Sequence, residues 1–287
     1  MTFLADPELV ERRKAIAAMA AAPLARGTTV TPVEQVDFSA LLIEPPTTGT
    51  HQTLVHLHGG GFRLGSAAAW TPFLSHLAHN TNTRILNVDY PLAPEHPYPA
   101  AFAAARAAAV WASQSMGAFV LSGDSAGGGL AAAVALTLSE PVRALHSGTI
   151  LLSPWLDLRI VNESFDECGP LDELFSARAA RDAIDAYCPG LDVTEKTLSP
   201  GLGDWHGQPP IFIETSSTEV LRDDARQLAA RALSSGVRVW FRELSDQPHD
   251  WHITKEPDSA VVKSSLSAVE EFLSMATQRH ASAGIGS

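Results

Sequence analysis

An α/β fold, with a mainly parallel central sheet flanked by helices, is the class this sequence predicts, on three observations. Short apolar runs of strand character alternate with longer, alanine-rich runs of helix propensity. That is the order which right-handed crossovers turn into a parallel sheet. Two of the strand-like runs, ending at Leu57 and Ser122, pass straight into glycine-rich turns, His58-Gly59-Gly60-Gly61-Phe62 and Gly123-Asp124-Ser125-Ala126-Gly127. Prolines crowd one connection, residues 89–99, between a strand-like and a helix-like run.

In chain order, the N-terminal stretch comes first. Arg12-Arg13-Lys14 before an alanine run has the look of a secretory signal. Asp6, Glu8 and Glu11 make that segment acidic, however, and alanine is weakly apolar, so it reads as an amphipathic surface helix. Residues 30–44 hold two strand-like runs and 45–49 a turn. A compact strand is expected at 53–57, a helix at 70–79 and a buried strand at 84–88. Residues 89–99 are too proline-dense for regular structure. A helix at 100–115 precedes the strand 119–122, and a helix at 130–138 follows the glycine turn. After a strand at 149–153, the chain to about His206 has no strong strand and is helical only near 171–187, so it reads as an insertion. Then follow a strand at 211–214, a helix at 220–235 closed by Gly236, a strand at 237–244 and a helix at 259–277.

Composition narrows the function. At 287 residues the chain suits one large domain or two small ones, and 45% hydrophobic with 18% charged residues describes a well-buried globular protein. A net charge of −12 without a basic cluster argues against nucleic acid. Cys168 and Cys188 match no metal or disulfide framework and read as ordinary thiols of a reducing compartment. His51, His56, His76, His79 and His96 are scattered and make no metal constellation. No stretch approaches the length of a membrane span, so a soluble, cytoplasmic protein is expected.

The turn at 123–127 is a G-x-S-x-G pattern between a strand and a helix. At its apex Ser125 would stand above the C-terminal edge of the sheet, as a nucleophile elbow does. A reacting serine needs a base, an orienting acid and donors for a developing oxyanion. The glycines 59–61 would leave backbone N–H groups unobstructed in one small volume. They lack the Gly-Lys-Ser/Thr of a phosphate loop.

The blocks His58–Phe62, Asp89–Glu95, Gly123–Gly128 and Ser153–Asp157 occur in one order and together resemble the hormone-sensitive-lipase-like esterases of the α/β-hydrolase fold. The resemblance runs from about residue 53 to 273. It implies Ser125 as nucleophile, N–H donors to the oxyanion from Gly60, Gly61 and Ala126, and a helical cap built from the N-terminus and the segment after the strand ending at Ser153. The expected division is a cap helix at 1–29, core at 30–157, cap insertion at 158–206 and core again at 207–287.

Set against the family pattern at the acid, Thr218-Glu219-Val220-Leu221-Arg222-Asp223-Asp224 gives Glu219 that role, with Asp223 and Asp224 structural. In the loop after the last strand, His249-Asp250-Trp251 fits the base better than His252-Ile253-Thr254. Asp250 departs from the pattern, either raising the imidazole pKa or pointing to solvent. Asp124 is expected to bond neighbouring backbone. Phe62 and Trp251, beside these positions, are the aromatic candidates for a substrate pocket.

The implied activity is hydrolysis of short-chain carboxylic esters through an acyl-enzyme, with no metal or organic cofactor. Amide or carbamate hydrolysis by the same triad is the alternative enzyme, and a small-ligand receptor on this fold the non-catalytic one. The expected partner is a small-molecule ester, with no nucleic acid or membrane, and a homodimer is left open.

Overall fold

The computed structural model describes residues 6–47 and 52–283, with side chains to 276. Thr48 and Gly49 of the expected 45–49 turn lie outside the described residues. Eight strands form one sheet: β1 (Thr29–Glu34), β2 (Ser39–Glu44), β3 (Thr53–Leu57), β4 (Arg84–Asp89), β5 (Phe119–Asp124), β6 (His146–Leu152), β7 (Ile211–Ser216) and β8 (Val239–Leu244). Their order is β1-β2-β4-β3-β5-β6-β7-β8. β2 pairs antiparallel with β1 and β4, and every other pairing is parallel. The helices are α1 (Pro7–Ala17), α2 (Ala67–Thr81), α3 (Ala100–Ser115), α4 (Ser125–Ala135), α5 (Glu140–Arg143), α6 (Ser164–Glu167), α7 (Ala177–Tyr187), α8 (Arg222–Ser234), α9 (Trp251–Thr254) and α10 (Ala260–Ala283). No described helix is long and apolar enough to cross a membrane.

The central strands are apolar on both faces because both faces are covered. Along each strand, neighbouring side chains point to opposite sides. Val55, Leu121, Leu151 and Ile213 meet the alanines of α3 and α4 and Leu228 of α8. Leu54, Val120, Ile150 and Phe212 meet Phe73 and Leu74 of α2 and Val269 and Phe272 of α10. Alanine is the packing device on the first side: α3 and α4 approach the sheet as closely as methyl groups allow.

Besides shifts of a few residues at other element ends, three departures from the sequence reading stand out. α4 starts at Ser125, five residues earlier than expected, because its three glycines are held by the exits of β3 and β6 in spite of their poor helix propensity. The helical stretch expected from Leu171 starts only at Ala177, since Asp172 binds the N–H groups of Leu174 and Phe175 as a turn. β6 begins at His146, paired with Phe119. The N-terminal helix is as expected on the surface, with Leu9 its one buried residue. Arg13 fastens it, donating to the Arg63 and Ala93 carbonyls at 2.8 and 2.9 Å and pairing with Glu95 at 2.7 Å.

Asp224 does the same for the insertion. Fully enclosed, it accepts from the Leu156 and Asp157 N–H groups at 2.8 and 2.9 Å and from Asn162 Nδ2 at 2.5 Å. Burial nevertheless pushes its carboxyl up to about 7. Asp224→Ala leaves three buried donors unpaired and is expected to cost about 3 kcal/mol of stability. Urea denaturation at constant pH measures it, and a loss within error would remove Asp224 from the frame.

Candidate active site

The site is assembled by one tight approach. At Gly127 an added Cβ would sit 2.0 Å from the Leu57 carbonyl oxygen, so only glycine lets the first turn of α4 lie against the end of β3. That approach brings the loop 58–61 beside Ser125, which occupies the turn between β5 and α4 at φ +49° and is 4% exposed. A non-glycine residue in the left-handed region is uncommon and costs roughly 1–2 kcal/mol.

Ser125 Oγ lies 2.9 Å from Nε2 of His249, in the loop between β8 and α9. His249 Nδ1 is 3.6 Å from Glu219 Oε1, an ion-pair separation longer than a hydrogen bond. Glu219 is fully buried just beyond β7. Its Oε1 accepts from Ser153 Oγ at 2.5 Å, and its Oε2 from Thr215 Oγ1 at 2.8 Å and the Ser216 N–H at 3.3 Å. Those donors fix the carboxylate in orientation. His252, the other histidine of the loop, turns away and bonds Glu214 Oε2 at 2.8 Å.

Opposite the serine, Gly60 and Gly61 have φ of +111° and +61°. The Gly60 carbonyl accepts from both Arg63 and Leu64 N–H, at 3.1 and 2.9 Å, closing a tight turn. Tyr90 secures the loop at its start, donating to the His58 carbonyl at 2.5 Å and stacking on the His58 ring. Among the described residues no backbone carbonyl accepts from the Gly60 or Gly61 N–H. Ala126, in the first turn of α4, has no intrahelical acceptor for its own N–H, at the positive end of that helix dipole. An anion would be well received there.

Asp250 faces this centre and does not point to solvent. Held at φ +53°, it places Oδ2 3.3 Å from His249 Nε2, and its buried Oδ1 has no partner among the described residues. Burial, reinforced by Asp124, Glu219 and Asp172 and opposed by His249, drives the Asp250 carboxyl well above the carboxylate range. Burial by itself lowers the His249 imidazole, but Asp250 and Glu219 outweigh it and raise the ring to about 10. This pair retains a proton strongly.

Asp124 corrects another expectation. Instead of backbone, it accepts from Trp70 Nε1 at 2.9 Å and contacts His56 Nε2 at 3.1 Å, while His56 Nδ1 meets Ser122 Oγ at 3.1 Å. This serine, imidazole and carboxylate are shut in beneath the sheet edge, where they brace the elbow.

Above Ser125 lies a cavity of about 210 Å³. Leu64 and Trp70 supply its core-side wall, Leu174, Phe175 and Ala179 the insertion side, and Ile16 and Met19 the N-terminal side. Phe175 stacks on the His249 ring at 5.7 Å. Neither aromatic chosen from sequence reaches this wall. Phe62 stacks on Tyr187 at 3.9 Å, 3% exposed, because its φ of +61° turns it into the core beneath the insertion. Trp251 is fully buried against His252, its Nε1 3.4 Å from Ser265 Oγ. Phe175 and Asp172, which the sequence reading missed, stand in an irregular connection with no periodic signal. Asp172 joins that connection to the acid's loop, accepting from the Val220 N–H at 3.0 Å.

Residues 54–253 match the family described as having the alpha/beta hydrolase fold. An esterase of Acinetobacter venetianus is 36% identical over 196 residues, which cover 67% of this chain and 64% of that protein, a little under two thirds of its length. The crystal structure of an esterase from the bacterial hormone-sensitive lipase family superposes with a TM-score of 0.82 at 30% identity, covering 93% of this chain and 97% of that one. EstE5, crystallised and soaked with p-nitrophenyl butyrate, gives a TM-score of 0.82 at 28% identity, covering 95% and 99%.

The charges around His249 set a measurable property. Carboxylates beside an imidazole stabilise its cation, so removing one must lower the pKa. Asp250→Gly suits the left-handed backbone, and is expected to lower the His249 pKa by about one unit or more. NMR titration of the ring reads this directly, and an unchanged pKa would show that Asp250 does not act on the ring.

Proposed function

The chain belongs to the hormone-sensitive-lipase-like family of the α/β-hydrolase fold, and from that premise we propose that it hydrolyses short-chain carboxylic esters through an acyl-enzyme. The observation that carries the reading is the 2.9 Å contact between Ser125 Oγ and His249 Nε2 on the floor of a mostly apolar cavity. Neutral His249 takes the Ser125 proton as Oγ attacks the ester carbonyl carbon. The carbonyl oxygen becomes an oxyanion facing the N–H groups of Gly60, Gly61 and Ala126, each such donor contributing roughly 3 kcal/mol to the barrier reduction. Glu219 keeps the imidazolium oriented and compensated. The tetrahedral centre collapses, the C–O bond breaks, and the alcohol leaves with the proton from His249. Water, deprotonated by the same imidazole, then attacks the acyl-serine, and the acid departs as Ser125 Oγ recovers its proton.

The substrate class follows from the space. A cavity of about 210 Å³ holds a small acyl group and excludes a long one. EstE5 was soaked with p-nitrophenyl butyrate, an ester of that size. Residues 1–29 and 158–206 act as the cap over a core of 30–157 and 207–287, supported by Ile16, Met19, Leu174 and Phe175 in the cavity wall. Pairing of two copies would use an open sheet edge such as β8, where Phe241 is exposed, and sedimentation velocity reads it.

Purified protein is expected to release p-nitrophenol from the acetate and butyrate esters, with rates falling beyond acyl chains of about eight carbons. Ser125→Ala should cost about 10⁵-fold in kcat. His249→Ala should approach that loss, and His252→Ala should retain most of the rate, because its ring is committed to Glu214. The reverse histidine ranking would overturn the base assignment, and a wild type that binds such esters without cleaving them would overturn the activity. Because Nε2 must be unprotonated to act, kcat/KM is expected to rise with pH above the ordinary histidine range.

A further inference from the structure

Two guanidinium groups border the cavity, and the mechanism uses neither. Arg63 is the second residue after the oxyanion glycines, in the same tight turn. Its side chain is half-buried, its Nε is enclosed without an acceptor, and its one contact is a 3.5 Å approach of Nη2 to the Ala179 carbonyl. Arg12, exposed on α1, borders the same cavity. Among the described residues no carboxylate comes within ion-pair distance of either, although Asp6 and Asp182 lie near enough to act on Arg63. Burial and then the Arg12 charge both weaken the hold of Arg63 on its proton, so the two cations are crowded together. Their neighbour Arg13 is paired with Glu95. The half-buried Arg63 gives up part of its hydration without an ion-pair partner among the described residues. Arg12 stands beside it in water, so the pair offers an unfilled cationic seat at the mouth of the cavity. Among the described residues the carboxyl that lines the cavity is Asp250, which sits at the His249 end, 3.3 Å from that ring, and makes no ion pair with either arginine.

We propose that the preferred substrate is an ester that also bears a carboxylate, seated against Arg63 and Arg12 while the ester carbonyl lies at Ser125. This deepens the esterase reading and rests on it. A guanidinium offers planar, paired donors that match a carboxylate, and the partial burial of Arg63 strengthens the interaction relative to open water. Arg63 shares a turn with Gly60, so it ties the far end of the substrate to the loop that receives the oxyanion.

The test compares esters differing only in charge. Monoethyl glutarate carries the carboxylate on the acyl side and 4-(butanoyloxy)butanoate on the alcohol side, and the primary amide of each is its neutral counterpart. By pH-stat, wild type is expected to prefer one of the two anions over its amide by about tenfold in kcat/KM. The side preferred identifies which arm of the cavity faces the arginines. Arg63→Gln should bring that ratio close to one, Arg12→Gln should lower it in part, and 0.5 M NaCl should reduce it in wild type. Both anions turning over no faster than their amides, or an unchanged ratio in Arg63→Gln, would overturn the proposal. A separate measurement uses Ser125→Ala protein, which needs no turnover. Calorimetry should show at least one of the two anions binding more tightly than its amide, with the preference lost on adding Arg63→Gln. Neither anion binding more tightly than its amide would overturn the proposal. If wild type cleaved no ester at all, the esterase reading would fail, and this binding comparison would still decide the anion site.

Discussion

The contact on which this molecule depends is between two stretches of backbone. The first turn of α4 rests on the end of β3 so closely that a methyl group at Gly127 would overlap the Leu57 carbonyl. Because of it, the chain leaving β3 at His58 and the chain leaving β5 at Ser125 emerge side by side. Ser125, the proposed nucleophile, and the Gly60 and Gly61 N–H groups, which no backbone carbonyl among the described residues accepts from, then share one small volume. The parallel sheet makes this available, since all its central strands end at the same edge, where their exits converge. The sheet is thus less a scaffold under the site than the reason the site exists at that edge.

Around that contact, carboxylates do the fastening, each in a different electrostatic setting. Glu219 is surrounded by Ser153, Thr215 and the Ser216 N–H, so it stays aimed. Asp224 and Asp172 bind backbone N–H groups and anchor the insertion to the loop that carries the acid. The cavity wall and the acid are therefore mechanically coupled: displacing 172–175 disturbs Val220, next to Glu219. Among the described residues Asp250 Oδ1 has no donor, and its Oδ2 faces His249 Nε2 at 3.3 Å. Burial raises the carboxyls of both Asp224 and Asp250, but only Asp224 is given backbone donors in return.

How much of this was legible in the sequence depended on whether a feature is local. The strand at 53–57 and the helix at 100–115 were read to the residue, because each is a continuous apolar or alanine run bounded by breakers. Ser125 and the glycines at 60 and 61 were legible because strained turns demand particular residue types at fixed spacing. Glu219 and His249 were legible in order, yet their burial and their 3.6 Å separation depend on chain ends from β6, β7 and β8 meeting in space. Phe62 and Trp251 were misjudged for a related reason. Nearness in sequence to a reacting residue does not set side-chain direction, and a left-handed turn at Phe62 reversed it. Phe175 and Arg63 carry no pattern at all: one is a single aromatic in an irregular connection, the other a single cation after a glycine loop.

The left-handed turns also explain how two residues 124 apart in sequence meet at hydrogen-bond distance. Ser125 and Asp250 both sit at φ near +50°, on the two sides of that contact. At Ser125 the conformation lifts the hydroxyl clear of the helix it begins. At Asp250 it reverses the chain just after His249, so the ring faces the serine and Trp251 turns back into the core. Both positions would be cheaper as glycine, by roughly 1 kcal/mol each. At 125 the side chain is the chemistry, so the cost is unavoidable. At 250 it is avoidable, and the residue kept there instead adds a carboxyl that restrains the neighbouring base. The turn at Asp250 costs stability but aims the ring, whereas its charge favours the imidazolium and so works against turnover at neutral pH. Burial of Trp251 and the turn alone do not account for a carboxylate there, so its presence belongs to the chemistry of the cavity it faces.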